Sequence, residues 1–163
     1  MRASWFIVTA TFTVLTGCVE VTPFEPTAFE PLVDASDSGF RDSEPTVRWV
    51  TNHEDWDAFW DTLEGDASEP PEVDFDRRIV IGAFLGQRSS GGYAVEVRSV
   101  AHADRGVDVF EVVYVELTPG DECGVTTAIT YPYQLVTVSS DAESQADVDV
   151  MLFNGGDETS PCG

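Results

Sequence analysis

From Ile79 to Leu85 the chain is an almost unbroken apolar run, while Tyr93, Val95 and Val97 alternate with Ala94, Glu96 and Arg98. An unbroken run rich in β-branched residues predicts a strand covered on both faces; the alternating run predicts one with a wet face. Between them lies Gly86-Gln87-Arg88-Ser89-Ser90-Gly91-Gly92, with no apolar side chain. This gap predicts a hairpin loop in which Gly91 and Gly92 take positive φ without steric cost. The pattern alone leaves open whether that loop binds or only connects. Upstream, Trp56, Phe59, Trp60 and Leu63 recur at i, i+3, i+4 and i+7. Such spacing predicts a helix with one apolar stripe, read as core rather than as an aromatic ligand box. Its start is marked by the capping-box order Thr51-Asn52-His53-Glu54, with Glu54 and Asp55 suited to the positive end of the helix dipole, and its end by Gly65.

The remaining pattern is strand-like. Val47, Trp49 and Val50 form a short run, and Val107 to Leu117 alternates with a phase that slips at Asp108, Glu111 and Glu116. A β-bulge near Phe110, or coverage of both faces, accounts for the slip. Ile129 to Val138 is a strand interrupted by Pro132, which calls for an edge position or a bulge because proline cannot donate to the ladder. Val148, Val150, Leu152 and Phe153 suggest a last short strand followed by an irregular tail, 154–163. The fold class is therefore α+β, mostly antiparallel β-sheet with one amphipathic helix packed on it.

Composition divides the chain further. Residues 1–17 have the order of a lipoprotein signal peptide: Arg2, then an apolar, Thr-rich stretch from Trp5 to Val14, then Leu15-Thr16-Gly17-Cys18. That order predicts lipidation of Cys18 and a membrane anchor on the extracytoplasmic side of a bacterial cell envelope, at the outer membrane or cell surface. Residues 18–45 hold Pro23, Pro26, Pro31 and Pro45, scattered acids and the tandem Thr22-Pro23-Phe24-Glu25-Pro26 and Thr27-Ala28-Phe29-Glu30-Pro31. They read as an acidic, Pro-rich, extended tether. Residues 46–163 are then the folded domain. With Cys18 lipidated, Cys123 and Cys162 are left as an even pair in an exported chain, and a disulfide between them is expected.

Charge and motifs remove several functions. With 30 acidic against 8 basic residues and a net charge of −22, the surface repels phosphate, so nucleic acid is excluded as a partner. All the basic residues are Arg. No GxSxG elbow, HExxH, P-loop or GxGxxG is present, and a triad assembled from Ser89, His102 and a nearby acid is no better than chance in so acidic a chain. The acids lack the EF-hand order and the cysteines lack a CxxC or a neighbouring His. Neither a catalytic residue, a cofactor nor a metal site is expected, and the chain is read as not an enzyme.

Trp56 and Trp60 on a short helix, Val73-Asp74-Phe75 before an apolar strand, Gly86 with Ser90-Gly91-Gly92-Tyr93, Pro119-Gly120 with Cys123, and Thr130-Tyr131-Pro132-Tyr133 follow one another in order. In these features the chain, over about residues 47–153, resembles the PrcB C-terminal domain family, named for a lipoprotein that stabilises a surface protease complex. It departs from the family pattern at Ser90, where Thr is usual, and at Val125-Thr126-Thr127-Ala128, where a Gln-rich stretch is usual. The resemblance implies a membrane-anchored, protein-binding module that assembles or stabilises an extracytoplasmic complex, with a protease as one possible member. The alternative is a loop-based protease inhibitor, since a Gly-Tyr loop on a β scaffold also resembles the chagasin-type inhibitors; a hydrolase with a site scattered in sequence is the third reading. Tyr93, Tyr131 and Tyr133 beside a loop or a proline, with Arg88 as one of few cations, have the chemistry of interface hot spots. The partner-binding surface is therefore expected to comprise Arg88, Ser89, Ser90, Gly91, Gly92, Tyr93, Thr130, Tyr131, Pro132 and Tyr133. The competing expectation places the tyrosines in the core and Arg88 in a surface ion pair that contributes almost nothing.

Overall fold

A computed structural model describes residues 22–64, 68–140 and 148–161. Along them run strands β1 (Glu25–Thr27), β2 (Phe29–Ala35) and β3 (Thr46–Val50), helix α1 (His53–Glu64), and strands β4 (Arg78–Phe84), β5 (Ala94–Asp104), β6 (Asp108–Pro119), β7 (Tyr133–Ser139) and β8 (Val148–Ser160). One sheet has the order β1-β5-β6-β8 and the other β2-β7-β4-β3. The pairings are antiparallel except β6 with β8, which is parallel. The expectation of an α+β fold with mostly antiparallel pairing holds, the β6–β8 pair being the parallel exception.

β4 explains the layering. Ile79, Ile81, Ala83 and Leu85 point into an inter-sheet core with Val95, Val97, Phe110, Val112, Tyr114, Val136 and Val138. The alternate residues Val80 and Phe84 point the other way, into a second core with Trp56, Trp60, Leu63, Phe75, Tyr133 and Leu135. A strand apolar at consecutive positions has no wet face, so it needs a layer on each side. The second sheet of the sandwich supplies one layer and α1 the other. The helix stripe matches its expected role: Trp56, Trp60 and Leu63 are buried. Its indole N–H groups donate to loop carbonyls, Trp56 Nε1 to Pro71 O at 3.1 Å and Trp60 Nε1 to Ser68 O at 3.0 Å. The cap differs from the expected box. Asn52, not Thr51, accepts from the Asp55 N–H at 2.9 Å and donates back to the Asp55 carboxylate at 2.7 Å.

Several sequence expectations are corrected. Part of the 18–45 segment is not a tether: β1 pairs with β5 and β2 with β7. Proline reads as a strand breaker, but both strands lie at sheet edges, where the missing N–H can face away from the ladder. The β2 register shifts between Pro31 and Val33. Half-buried Phe29 packs on the inter-sheet core, and Leu32 and Val33 on the helix-side core. β7 is central despite Pro132, because the strand starts one residue after the proline. No bulge falls at Phe110, which pairs in register with His102; the β5–β6 register breaks between Val97 and Ser99, leaving Arg98 as the extra residue. The 154–163 tail is not irregular as far as Ser160, since β8 continues alongside β6 after a shift opposite Gly155 and Gly156.

The phase slip in β6 also has a simple origin. Phe110, Val112 and Tyr114 face the inter-sheet core, so Asp108 and Glu116, two residues beyond each end of that series, face the same way. Asp108 is buried and Glu116 half-buried at the two rims, and each meets a basic side chain: His102 Nε2 lies 2.5 Å from Asp108 Oδ1, and Arg88 holds Glu116.

If β1 and β2 belong to the sandwich, a chain lacking residues 22–35 should lose the burial of three half-buried apolar side chains, about 3 kcal/mol or more in chemical denaturation. A tether would be removable with no change in the unfolding midpoint.

Candidate functional site

The two segments expected to form a binding surface are neighbours. Arg88 N–H donates to Thr130 O at 2.8 Å and Thr130 N–H to Arg88 O at 3.0 Å, an isolated antiparallel bridge. Leu85 N–H donates to Pro132 O at 2.9 Å, and Thr130 Oγ1 to Ser90 O at 2.8 Å. On the far side, Tyr131 N–H donates to Ser36 O at 3.1 Å and Ser38 N–H to Tyr131 O at 3.0 Å. The segment before β7 is thus held between the loop after β4 and the stretch after β2.

The glycines explain the loop's shape. Gly86 and Gly92 take positive φ, 73° and 87°, while Gly91 does not. At Gly92 the demand is double: a Cβ would also lie 2.8 Å from Val125 Cγ1 and 2.9 Å from Pro119 Cβ. Gly91 N–H donates to Thr126 O at 3.0 Å. The Gly-Gly-Tyr loop therefore lies against the 119–130 loop, and the short motifs at Gly86, Gly91-Gly92, Pro119 and Thr130 converge at one end of the sandwich.

Within this end the expected site residues separate into two groups. Tyr133 is 1 % exposed, its ring stacked on Phe84 at 5.7 Å between centroids and its hydroxyl donating to Glu64, so it is core. Burial, followed by the Glu64 carboxylate, pushes its hydroxyl well above the ordinary tyrosine range. Pro132 and Thr130 are buried as well. Arg88 is committed inward: Nε and Nη2 grip Glu116 at 2.7 and 2.6 Å, and Nη1 donates to Leu85 O at 2.8 Å and Gln87 O at 3.0 Å. With side-chain exposures of 16 % and 14 %, this is a nearly buried bidentate pair, and the Glu116 bond raises the guanidinium pKa above its ordinary value. Tyr131 carries Arg41 over its ring at 4.5 Å.

What faces solvent is Ser89 and Gly92, with Tyr93, Ser90, Gly91 and Tyr131 half-exposed. Beside them, Ile129 is 55 % and Val125 40 % exposed. The sequence reading did not place these two in the site. The available signal was an apolar residue on each side of a run of small and hydroxyl residues, Val125-Thr126-Thr127-Ala128-Ile129. Cys123 sits in the turn of the same loop, its N–H donating to Gly120 O at 2.9 Å. Cys18 and Cys162 lie outside the described residues. Among the described residues no group of three or more His, Cys, Asp and Glu side chains is placed to hold a metal ion.

Two expectations follow. Arg88→Ala would strand the Glu116 carboxylate and should cost about 2–3 kcal/mol, against an exposed pair worth under about 1 kcal/mol; the double variant Arg88→Met with Glu116→Leu should recover most of the loss in urea denaturation. For Tyr133, the folded state raises the hydroxyl pKa, so its contribution is full below the unfolded value and declines as pH rises past it. Stability should therefore fall above about pH 10 in the native chain. Tyr133→Phe should cost about 1 kcal/mol at neutral pH and flatten that alkaline decline in thermal melts taken across the range.

Residues 79–139 match the family model described as PrcB C-terminal. No curated protein and no solved structure matches the chain. The matched segment runs from the doubly covered strand β4 through the Gly-Gly-Tyr loop to the end of β7, and so contains the whole loop cluster except its contacts with 36–41. The similarity to the PrcB C-terminal family therefore spans residues 79–139.

Proposed function

We propose that this chain is a non-catalytic, lipid-anchored binding module that assembles or stabilises an extracytoplasmic protein complex containing a protease. The observation that carries the reading is the convergence of the family-matched loops on one end of the sandwich, where Ile129 and Val125 stand exposed beside Tyr93 and Tyr131. Exposed apolar and tyrosine side chains on a rigidly held loop pair can bury area on association at little ordering cost. Arg88 and Tyr133 serve that surface from beneath: one fastens the loop and the other anchors the strand that follows it. The anchor in this reading is the Cys18 lipid, and the Cys123–Cys162 bridge ties the chain's end to the loop that carries Val125. Mass spectrometry of unreduced protein from cells reads both modifications at once.

The functional test is cross-linking in native membranes. Ile129→Arg should reduce the yield of captured partner about tenfold with no change in melting temperature, as expected for an exposed hot-spot residue. Removing the chain from the cells should shorten the lifetime of the captured protein. Equal capture by the variant, together with an unchanged lifetime, would refute the reading.

A further inference from the structure

The course of β1 and β2 leaves one strand edge open. β1 runs beside β5 only at Val100, Ala101 and His102, and then the chain crosses to the other sheet as β2. From Ala94 to Ser99 the outer edge of β5 has no backbone neighbour among the described residues. That edge carries real hydrogen-bonding groups. Val97 N–H points away from β6, because it donates to the Gln134 side chain at 2.7 Å. Two residues back in the same strand, Val95 presents its N–H and C=O to the same side. Where β5 and β2 diverge lies a cleft of about 360 Å³, walled by Asp34 and Ala35 on one side, Tyr93, Val95 and Glu96 on the other, and floored by Gln134.

We infer that this cleft takes up an extended, basic segment of a partner polypeptide by strand addition to β5, an inference that rests on reading the chain as a binding module. Three features fit that occupant. The edge offers backbone groups in line with β1, so an added strand continues a pairing the fold already begins. Asp34 stands exposed on one wall and Glu96 on the other, in a chain of net charge −22. The one cation beside Glu96, Arg98, is divided between Glu96 and Glu158, both at 2.7 Å. An extended segment alternating valine with lysine would match this: valines extend the inter-sheet core beside Val95 while lysines meet the acids. Tyr93 belongs both to the cleft and to the loop cluster, so a partner can span the two.

The test titrates a capped Lys-Val-Lys-Val-Lys peptide, its Glu-for-Lys counterpart and a fully N-methylated basic analogue into the isotope-labelled full chain, reading amide hydrogen exchange residue by residue. The basic peptide should slow exchange at Val95 about tenfold. It should bind about tenfold more tightly than the acidic peptide, and N-methylation should abolish the protection. Asp34→Lys, at an exposed position, should weaken the basic peptide about fivefold without moving the melting temperature. No protection at Val95, or equal binding of the acidic or N-methylated peptide, overturns strand addition. Cross-linking separates this inference from the one beneath it. No protection at Val95, with capture lost in Ile129→Arg but undiminished in Asp34→Lys, would refute the cleft and leave the module standing; protection at Val95 by the basic peptide, with capture lost in neither variant, would leave the cleft standing and refute the module.

Discussion

The fold depends on β4 having no wet face. Seven consecutive positions from Ile79 to Leu85 are buried, including Gly82 at the centre. Each strand residue adds its side chain to one face or the other, so two separate cores must be built around one strand. The sheet containing β5 and β6 closes the first core and α1 closes the second. At about 1.5–3 kcal/mol for each fully buried aliphatic side chain, both coverings contribute strongly, and neither can be removed without exposing half of the strand. β7 shares the constraint, since all its residues but the last are buried.

That constraint also shapes the loop end. A strand pair buried on both faces leaves the chain only at its ends, so the connection from β4 to β5 and the approach to β7 emerge together and bond to each other through Arg88 and Thr130. Charge is managed at the same rims. Asp108 and Glu116 occupy core-facing positions at opposite ends of β6, where an unpaired carboxylate would be costly, and His102 and Arg88 are their partners. The Arg88 pair therefore fastens the loop beneath its exposed residues.

The parts of the fold legible in the sequence were those in which periodicity and burial agree. The double covering of β4, the stripe of α1 and the alternation of β5 could be read directly because each residue's neighbours in sequence report its face. Edge strands gave no such signal: in β1 and β2, Pro26 and Pro31 outweighed the apolar Phe29, Leu32 and Val33, and their partners lie some seventy to a hundred residues away. The β6 pattern was misread for a related reason. Periodicity treats an acid as a surface marker, whereas Asp108 and Glu116 face inward against His102 and Arg88, which only the three-dimensional pairing brings near. In the candidate site, a shared surface for the two segments was expected from the chemistry of their tyrosines and Arg88, but the inward commitment of Arg88 and Tyr133 depended on Glu116 and Glu64, which no local pattern points to.

The distribution of arginine narrows how such a surface can recognise anything. Arg41, Arg48, Arg78, Arg88 and Arg98 each hold a carboxylate of this chain, and Arg41 and Arg48 also lie over aromatic rings. Cations so engaged have part of their charge and geometry already satisfied, and freeing one for a partner would leave an acid unpaired in a chain that carries 30 of them. At the loop end and beside β5, what the protein offers at no internal cost is the opposite set: exposed acids, tyrosine and aliphatic side chains, and the outward backbone groups of Val95. Recognition through that set favours partners that bring their own positive charge and an extended backbone. It also makes association sensitive to salt, because the long-range attraction arises from unpaired surface acids and is screened over roughly 8 Å at physiological ionic strength.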